Sequence, residues 1–352
     1  MSTEILIPQR PAAHTQNEYL ELLKDKKILI TGAGGYLGTA LLSSLYEVPC
    51  EILALVHKQN CIPAPSASAA TVTSQRADLS QSSVWLDVLC EIRPDVIVNL
   101  AAYEHRRDSP HAPELDLAIN TATVLELLEA CRKLNLRPRI VQASSANIFG
   151  CPAEPLVNED TPDQPLTLYA LNKLAAERYL EYYAATCEIP SVSLRFGNIY
   201  GPLRARAPER ELRVVLNRMI DRALAGGPLY VYRNQGRVRD FLFVDDAVRA
   251  ICAAATSETI VRGGKYVAGS GEGYSLRQIA SEIARQVENL ALPSVAVLSD
   301  DEASLAPVEW RDFIADYDRL RAATGWQPQT KLDKGIELTL RAFMRDPGDP
   351  EV

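Results

Sequence analysis

A glycine-rich segment near the start of the chain constrains the fold more than any other feature. Residues 31–38 read Thr-Gly-Ala-Gly-Gly-Tyr-Leu-Gly, between an apolar run at 27–30 and a segment of helical period. Glycines at this spacing permit a tight turn, a close approach of the backbone to a pyrophosphate and close helix packing, and a helix N-terminus offers N–H donors to an anion. Strand, turn and helix in this order predict a dinucleotide site, against the alternative of a tight turn without a ligand. The predicted contacts are Gly32, Gly35, Tyr36, Leu37 and Gly38.

Short apolar runs of strand type alternate with longer runs of helical period along the first 200 residues. The predicted strands are 27–31, 52–56, 95–100, 139–144 and 191–196, and the predicted helices are 36–47, 84–92, 114–134 and 168–187. Near-continuous apolar strands such as Val96-Ile97-Val98 are typical of a parallel sheet that is covered on both faces. The sequence therefore predicts an α/β fold with a Rossmann-type doubly wound parallel sheet.

The alternation breaks after Gly201. From there we expect a smaller α+β substrate lobe, interleaved with returns to the sheet. Its predicted elements are helices at 207–225, 275–288, 317–324 and 332–344 and one from Asp245, a strand pair around 229–232, and strands at 241–244 and 265–268. The predicted division is an N-terminal extension at 1–25, an NAD(P)-binding domain at 26–200 with 240–270 returning to it, and a nucleotide-sugar-binding lobe at 201–239 and 271–345.

Charge and cysteine content exclude several classes of function. The 352 residues carry 37 Lys and Arg against 45 Asp and Glu, and a net charge of −8 repels nucleic acid and anionic membranes at long range. Seven scattered cysteines without a C-x-x-C pair, and four histidines that do not cluster, predict neither a disulfide framework nor a metal site. Because no run approaches the ~18 apolar residues of a membrane span, we expect a cytoplasmic protein.

The second predicted strand ends without the carboxylate that normally binds the adenosine ribose of NAD. His57 and Lys58 follow it, so no carboxylate repels a 2′-phosphate, and the pattern favours NADP(H), with NAD(H) as the other choice. The alternative is that both are solvated loop residues. Asp78, with Leu79 beside it, follows Arg76 and Ala77 at the end expected for the third strand of a Rossmann-type sheet. A carboxylate there could bind the adenine amino group, and an ordinary turn aspartate fits the spacing as well.

A tyrosine and a lysine share one face of the predicted helix 168–187. Tyr169 and Lys173 stand four residues apart, so the ammonium lies near the phenol, can favour its ionised form and can bind ribose hydroxyls. This arrangement suits proton transfer to a carbonyl oxygen, although 14 tyrosines make such a spacing a common accident. With a serine at a strand end and the glycine motif upstream, the pattern predicts catalysis by Ser145, Tyr169 and Lys173.

In these residues the chain resembles the extended short-chain dehydrogenase/reductase family, the group of NDP-sugar epimerases, dehydratases and reductases, over about residues 26–343. The resemblance rests on segments 31–38, 99–102, 144–150, 169–173, 195–202 and 239–246. It implies that Ser145 orients the substrate oxygen, Tyr169 is the acid/base and Lys173 binds the nicotinamide ribose. It also implies cofactor contacts at Leu100, Ala101 and Ala102, and substrate contacts at Tyr103, Ser145, Asn198 and Arg239.

The resemblance places Arg239 at the diphosphate of the nucleotide-sugar, where it supplies the basic group that an acidic chain needs. The alternative is a structural salt bridge between Arg239 and Asp240 or Asp246. Residues 310–313, Trp-Arg-Asp-Phe, could approach the nucleotide-sugar or could pack the C-terminal lobe.

Two positions after Ser145 bear on the reaction. Similar 4,6-dehydratases carry an Asp-Glu pair there as acid and base, whereas this chain has Ala146 and Asn147, which do not titrate, so we do not expect dehydration. A 4-epimerase regenerates its own cofactor and usually keeps NAD, whereas a net reductase exchanges its cofactor and commonly uses NADPH. His57 and Lys58 therefore favour a reductase.

Segments 222–229, 239–242, 311–313 and 324–328 resemble the dTDP-4-keto-6-deoxyhexose 4-ketoreductases. We therefore expect NADPH-dependent reduction of the C4 keto group of a nucleotide-linked, in particular a dTDP-linked, 4-keto-6-deoxy sugar. The alternatives are an NAD-dependent NDP-sugar 4-epimerase and a non-catalytic NADP-binding regulatory protein on the same fold.

Helix 168–187 predicts a homodimer, because it has apolar side chains on more than one face. They are Leu171, Leu174, Tyr179, Leu180 and Tyr183. With helix 114–134, the surplus face could form a four-helix interface, as similar proteins do.

Overall fold

A parallel sheet of seven strands forms the centre of the computed structural model, which describes residues 16–57, 62, 68–81, 84–103, 112–203, 214–232, 236–300 and 310–344. The described strands are β1 Lys27–Thr31, β2 Glu51–Val56, β3 Thr71–Arg76, β4 Val96–Asn99, β5 Arg139–Ser145, β6 Leu156–Val157, β7 Ser191–Phe196, β8 Asn198–Tyr200, β9 Leu229–Tyr232, β10 Val238–Phe243, β11 Gly264–Ala268, β12 Gly273–Ser275, β13 Val297–Asp300 and β14 Ile314–Ala315. The described α-helices are α1 Gln16–Glu21, α2 Tyr36–Leu45, α3 Val84–Ile92, α4 Pro113–Leu117, α5 Thr123–Lys133, α6 Leu168–Cys187, α7 Val215–Leu224, α8 Val244–Thr256, α9 Leu276–Asn289, α10 Asp318–Thr324 and α11 Leu332–Met344.

The strand order of the central sheet is β11-β7-β5-β4-β1-β2-β3. Alternate residues of its inner strands enter two cores: Ile28 and Ile30 pack on the side of α2 and α8, and Leu29 packs on the side of α3, α5 and α6. Burial on both faces explains why these strands read as continuous apolar runs. The predicted doubly wound sheet is confirmed, and its strand order reverses between β1 and β4, where ligands of such sheets bind.

The remaining strands and helices build a smaller lobe. Strand β10 pairs in parallel with β8 and antiparallel with β12, and β9 pairs with β13. Helices α7, α9 and α11 cover a third core around Tyr200, Phe241 and Phe243. The sequence did not predict β13, the partner of β9, nor the short pair of β6 with β14. The domain boundaries given above stay a prediction.

Two predicted elements differ from the structure. The helix predicted at 114–134 is broken, because a π-helical turn at Ala118–Ala122 separates α4 from α5. The wider turn brings Thr121 to α6, where its Oγ1 donates to the Asn172 carbonyl at 2.9 Å. The strand predicted at 241–244 begins at Val238, and Val244 already starts α8. Residues 207–213 of the helix predicted at 207–225 lie outside the described residues, and the described part of this segment forms α7.

Among the described helices, none has the length and apolar character that crossing a membrane requires.

Candidate active site

The glycine turn is built by close backbone contacts. Gly32 has φ +62°, and a Cβ there would lie 2.9 Å from the Ala101 amide nitrogen. A Cβ at Gly38 would lie 2.3 Å from the Gly32 carbonyl oxygen, so α2 can approach the turn only with glycine at this position. The N-cap residue of α2 is Gly35, which has no side chain to cap the helix. The helix dipole at this end favours an anion, and the predicted dinucleotide contacts stay a prediction.

A chain of buried polar side chains joins the carboxyl ends of three neighbouring strands. Thr31 Oγ1 donates to Asn99 Oδ1, and Asn99 Nδ2 donates to Gln142 Oε1 at 2.6 Å. The Ala101 amide donates to Thr31 Oγ1 at 3.1 Å, which holds the backbone at the predicted cofactor contacts 100–102. Sequence reasoning missed Gln142, although a polar residue within a buried apolar strand is the signal that could have found it.

The rim of the sheet carries the residues predicted to select the cofactor. His57 is exposed at the end of β2, and the exposed Arg76 of β3 donates from Nε to the His57 carbonyl at 3.3 Å. Lys58 lies outside the described residues. Sequence reasoning missed Arg76, which ends the strand before the predicted adenine-binding Asp78. The rim therefore presents a second basic side chain beside His57.

Asp78 forms the hydrogen bonds of a turn aspartate. Its Oδ1 accepts from the Ser80 hydroxyl at 2.7 Å and from the Ser80 amide at 3.0 Å. These bonds hold the pKa of Asp78 below its usual value, so the side chain is a carboxylate at neutral pH. Leu79 is buried in the core beside α3. The structure thus shows the turn that the alternative interpretation of Asp78 requires, and contact with adenine stays a prediction.

Helix α6 carries the predicted acid/base pair against the end of β5. Lys173 is buried, its Nζ donates to the Ala143 carbonyl at 3.1 Å, and it lies 5.8 Å from the centroid of the half-buried Tyr169 ring. Ser145 ends β5, and its Oγ accepts from the Asn147 amide at 3.2 Å, within a 3₁₀ turn at Ala146–Phe149. With one lone pair used by Asn147, the Ser145 hydroxyl can donate its proton to a ligand oxygen.

A buried ion pair fixes α6 to the sheet behind this pair. Arg195 of β7 is fully buried and donates from Nη2 to Glu177 Oε2 at 2.6 Å and from Nη1 to Asp163 Oδ1 at 2.7 Å. Ser144 Oγ donates to Glu177 Oε1 at 2.5 Å. Burial alone would raise the pKa of Asp163, but the hydrogen bond and charge of Arg195 hold that pKa below its usual value. Glu177 stands one turn after Lys173, so this network sets the position of the helix.

A second polar network fixes the other side of α6 to the π-helical turn. Asp116 Oδ1 accepts from Asn120 Nδ2 at 2.9 Å and from Asn172 Nδ2 at 2.7 Å. The Asn120 side chain also pairs with the backbone of Tyr103, accepting from its amide at 3.2 Å and donating to its carbonyl at 2.9 Å. The loop that holds the predicted substrate contact Tyr103 is therefore tied to the catalytic helix. Sequence reasoning missed both Asp116 and Asn120.

The predicted substrate residues Asn198 and Arg239 lie on the paired strands β8 and β10. Asn198 Nδ2 donates to the Asp240 carbonyl at 3.0 Å, which leaves its amide oxygen as the group for a ligand. Arg239 is nearly buried. Burial alone would raise the pKa of Asp312, but hydrogen bonds from Val238 and Arg237, together with the charge of Arg239, hold that pKa below its usual value.

The carboxylates proposed as structural partners of Arg239 bind other groups. Asp240 accepts from the backbone amides of Ser270 at 2.7 Å, Gly271 at 2.9 Å and Ala315 at 3.1 Å. Burial raises the pKa of Asp240 to about 6, even against these donors. Asp246 forms an ion pair with Arg249 and accepts from the backbone amides of residues 329 and 330. The place of Arg239 at a diphosphate, and its alternative as a structural salt bridge, stay predictions.

Segment 310–313 packs against the turn that begins at Ser145. Arg311 donates to the carbonyls of Ala146 and Gly150 and to the Asn147 side chain, and Phe313 is buried. Trp310 is 40% exposed. For Arg311 and Phe313 the structure therefore shows the packing alternative.

Comparison with known proteins places the chain in a broad group of sugar-nucleotide proteins. The model of the NAD dependent epimerase/dehydratase family matches residues 28–269. A UDP-glucose 4-epimerase of Mycolicibacterium smegmatis is 27% identical over 325 residues, 90% of this chain and 98% of that protein. The solved structure of epimerase Mth375 from Methanothermobacter thermautotrophicus is similar with a TM-score of 0.79 and 25% identity, over 93% of this chain and 95% of that one. A Thermus thermophilus UDP-glucose 4-epimerase in complex with NAD is similar with a TM-score of 0.73 and 27% identity, over 90% of this chain and 98% of that one.

The glycine turn yields a prediction about cofactor binding. In the Gly38→Ala variant the new Cβ collides with the backbone of residues 32 and 33, so α2 must move away from the turn and the anion site opens. We expect NADPH affinity, measured by fluorescence titration, to fall by more than about tenfold, the equivalent of one charge-assisted hydrogen bond. The control is Gly227→Ala, whose Cβ would meet the flexible Arg222 side chain in the lobe. Unchanged NADPH affinity in Gly38→Ala would contradict the dinucleotide site.

Proposed function

This chain belongs to the NAD-dependent epimerase/dehydratase family, within the extended short-chain dehydrogenases/reductases, and on that premise we propose that it transfers hydride at C4 of a sugar carried by a nucleoside diphosphate. The observation that carries the proposal is the contact of α6 with the end of β5, where Lys173 Nζ donates to the Ala143 carbonyl two residues before Ser145, with the Tyr169 ring beside Lys173 on the same helix. That end lies beside the glycine turn, across the polar chain of Thr31, Asn99 and Gln142.

The residues of the turn fit a dinucleotide, because Gly32 and Gly38 leave room where any Cβ would collide with backbone. A bound nicotinamide would supply or accept the hydride. Tyr169 holds the proton that passes between its phenol and the sugar C4 oxygen. Lys173 binds the ribose and stabilises the ionised phenol, and Ser145 donates a hydrogen bond to the same C4 oxygen as it gains negative charge. Asn198 and Arg239 hold the nucleotide-sugar, with the guanidinium at its diphosphate.

Within this chemistry we propose reduction of a 4-keto-6-deoxy sugar with NADPH. Ala146 and Asn147 bring no titrating group to the site, so the second proton transfer that dehydration needs has no donor or acceptor there. His57 and Arg76 at the rim favour a phosphate on the adenosine ribose. A 4-epimerase is the second candidate, favoured by the relatives of that name and by their coverage of nearly the whole chain. The nucleotide, the cytoplasmic location and the regulatory alternative stay predictions.

Tyr169→Phe tests the mechanism, because it removes the acid and leaves the ring and the helix in place. With a dTDP-4-keto-6-deoxyhexose and NADPH, we expect kcat to fall roughly 10²–10⁴-fold while NADPH affinity holds. Lys173→Ala is expected to weaken NADPH binding as well, and Ser145→Ala to lower kcat by about 10–10³-fold. The matched control is Tyr179→Phe, on the outer face of the same helix.

The same assays separate the candidate functions. Interconversion of UDP-glucose and UDP-galactose without added cofactor, and no NADPH oxidation with the keto sugar, would make the chain an epimerase. No turnover with either substrate would favour the regulatory alternative. A Tyr169→Phe variant with near-full activity would refute the proton donor.

Cofactor choice follows from the rim of the sheet. We expect kcat/KM for NADPH to exceed that for NADH, and Arg76→Ala to reduce the ratio by roughly tenfold or more, as loss of a charge-assisted bond to phosphate implies. Arg262→Ala serves as the control, since it removes an exposed arginine from the turn before β11. A wild-type preference for NADH would reject the NADP assignment and strengthen the epimerase candidate.

The outer face of α6 supports the proposed homodimer. Leu180 and Tyr183 are buried within the fold, whereas Leu171 is 50% and Tyr182 60% exposed, more apolar surface than a monomer usually leaves in one place. Leu171→Glu would bury a charge in such an interface, so we expect light scattering to give a dimer for the wild type and a monomer for this variant. Leu338→Glu, at a 38% exposed leucine of α11, should stay dimeric. A monomeric wild type would refute the proposal.

A further inference from the structure

We propose that Arg311 is a positioning residue that orients the Ser145 hydroxyl by holding the 3₁₀ turn that begins there. The inference rests on the proposed function, because the orientation of Ser145 matters only if Ser145 acts on the substrate. Arg311 lies outside the segments that bear the predicted catalytic residues, 161 positions along the chain from the nearest group that it binds, the Gly150 carbonyl.

The guanidinium of Arg311 is buried and bonds to both ends of the turn. It donates to the Ala146 carbonyl at 3.3 Å, to the Gly150 carbonyl at 3.0 Å and to Asn147 Oδ1 at 2.6 Å. The last carbonyls of a helix have no partner within it, and this turn is only four residues long. A planar group with several donors satisfies these acceptors together, which a lysine cannot do with the same geometry.

Asn147 transmits this constraint to Ser145. Its backbone amide donates to Ser145 Oγ at 3.2 Å, and its side-chain oxygen accepts from Arg311 at 2.6 Å, a shorter bond than those from Arg311 to the two carbonyls. Fixing residue 147 at its side chain and the turn at its two carbonyls fixes the direction of that amide. The Asn147 amide thereby holds the Ser145 oxygen on one side, and the hydroxyl keeps its proton for donation to a ligand oxygen.

The segment that carries Arg311 is itself anchored to the substrate strand. Asp312 accepts from the Val238 amide at 2.8 Å, and the Phe313 amide donates to the Val238 carbonyl at 3.1 Å. Val238 precedes Arg239, so strand β10, Arg311 and the turn at Ser145 form one connected unit. These bonds would hold Arg239, proposed to bind the diphosphate, in a fixed position relative to Ser145, proposed to bind the C4 oxygen.

A double-mutant cycle distinguishes positioning from mere packing. If Arg311 acts through Ser145, Arg311→Met should lower kcat roughly as much as Ser145→Ala, about 10–10³-fold, with KM for the keto sugar changed less than about threefold. In the Ser145→Ala background the same change should cost less than about threefold more. Arg311→Lys keeps the buried charge and the fold, and should lie between wild type and Arg311→Met.

The control is Arg319→Met, which removes another arginine of the C-terminal segment, one that binds Asp160 at 2.7 Å and Glu159 at 3.5 Å. It should leave kcat unchanged. The inference would be overturned if the two reductions in kcat multiplied in the double variant, or if both Arg311 variants kept the full kcat. Either result would leave the proposed function unchanged. A fully active Ser145→Ala would overturn the role of Ser145 in the proposed function, and the inference with it.

Discussion

The buried pair of Glu177 and Arg195 is the interaction on which the geometry of the site depends. Both side chains are almost fully enclosed, and an isolated charge at either position would be very costly, so each fixes the other. Asp163 and Ser144 complete the hydrogen bonding of the pair. Because Glu177 projects from the same face of α6 as Tyr169 and Lys173, the pair sets the rotation and depth of the whole helix against β5 and β7. The acid/base residues are thus placed by packed secondary structure and not by a loop.

A second constraint is a chain of hydrogen bonds between neighbouring strands of the central sheet. Thr31, Asn99 and Gln142 replace apolar contacts at three adjacent strand ends with hydrogen bonds whose geometry is specific. The close approach of Gly32 to Ala101 then leaves one relative position for the first two segments of the predicted cofactor site. Buried polar networks of this kind fix a unique arrangement when every member has a partner. The two networks together join the dinucleotide turn, the strand that ends in Ser145 and the helix of Tyr169.

Elements that depend on residues close in sequence could be predicted from the sequence, whereas elements that depend on distant partners could not. Helix α6 matches its predicted bounds, because its period and its N-cap Thr167 are local. The π-helical turn was missed, since one widened turn hardly disturbs an apolar period. Strands β6, β8 and β12 to β14 have two to four residues, too few to show a period, and exist through distant partners.

The residues of the candidate site divide in the same way, into those with a recognisable local spacing and those whose contacts are distant in sequence. Ser145, Tyr169 and Lys173 stand in a spacing that can be recognised, and Lys173, with the Tyr169 ring beside it, lies against the end of β5 that Ser145 terminates. The contacts of Asp116 with Asn172 and of Arg311 with Asn147 span 56 and 164 positions, so no local pattern could predict them. Their residue types are ordinary, and only the fold shows that they are buried against the catalytic segments.

The positions of Tyr169 and Asn147 bear on which reactions the candidate site could catalyse. A reaction confined to C4 needs one proton carrier, the role proposed for Tyr169. A reaction that also breaks a bond at C5 or C6 needs a second carrier close by. Asn147, at the position where such a carrier would stand, has its amide oxygen bonded to Arg311. A carboxylate introduced there would meet the same guanidinium and be held in its ionised form, so it could not act as an acid without a change at Arg311 too. In the proposed function, the difference between reduction and epimerisation lies outside the acid/base residues, at the ends of β2 and β3, where cofactor binding would decide whether the cofactor leaves after each hydride transfer.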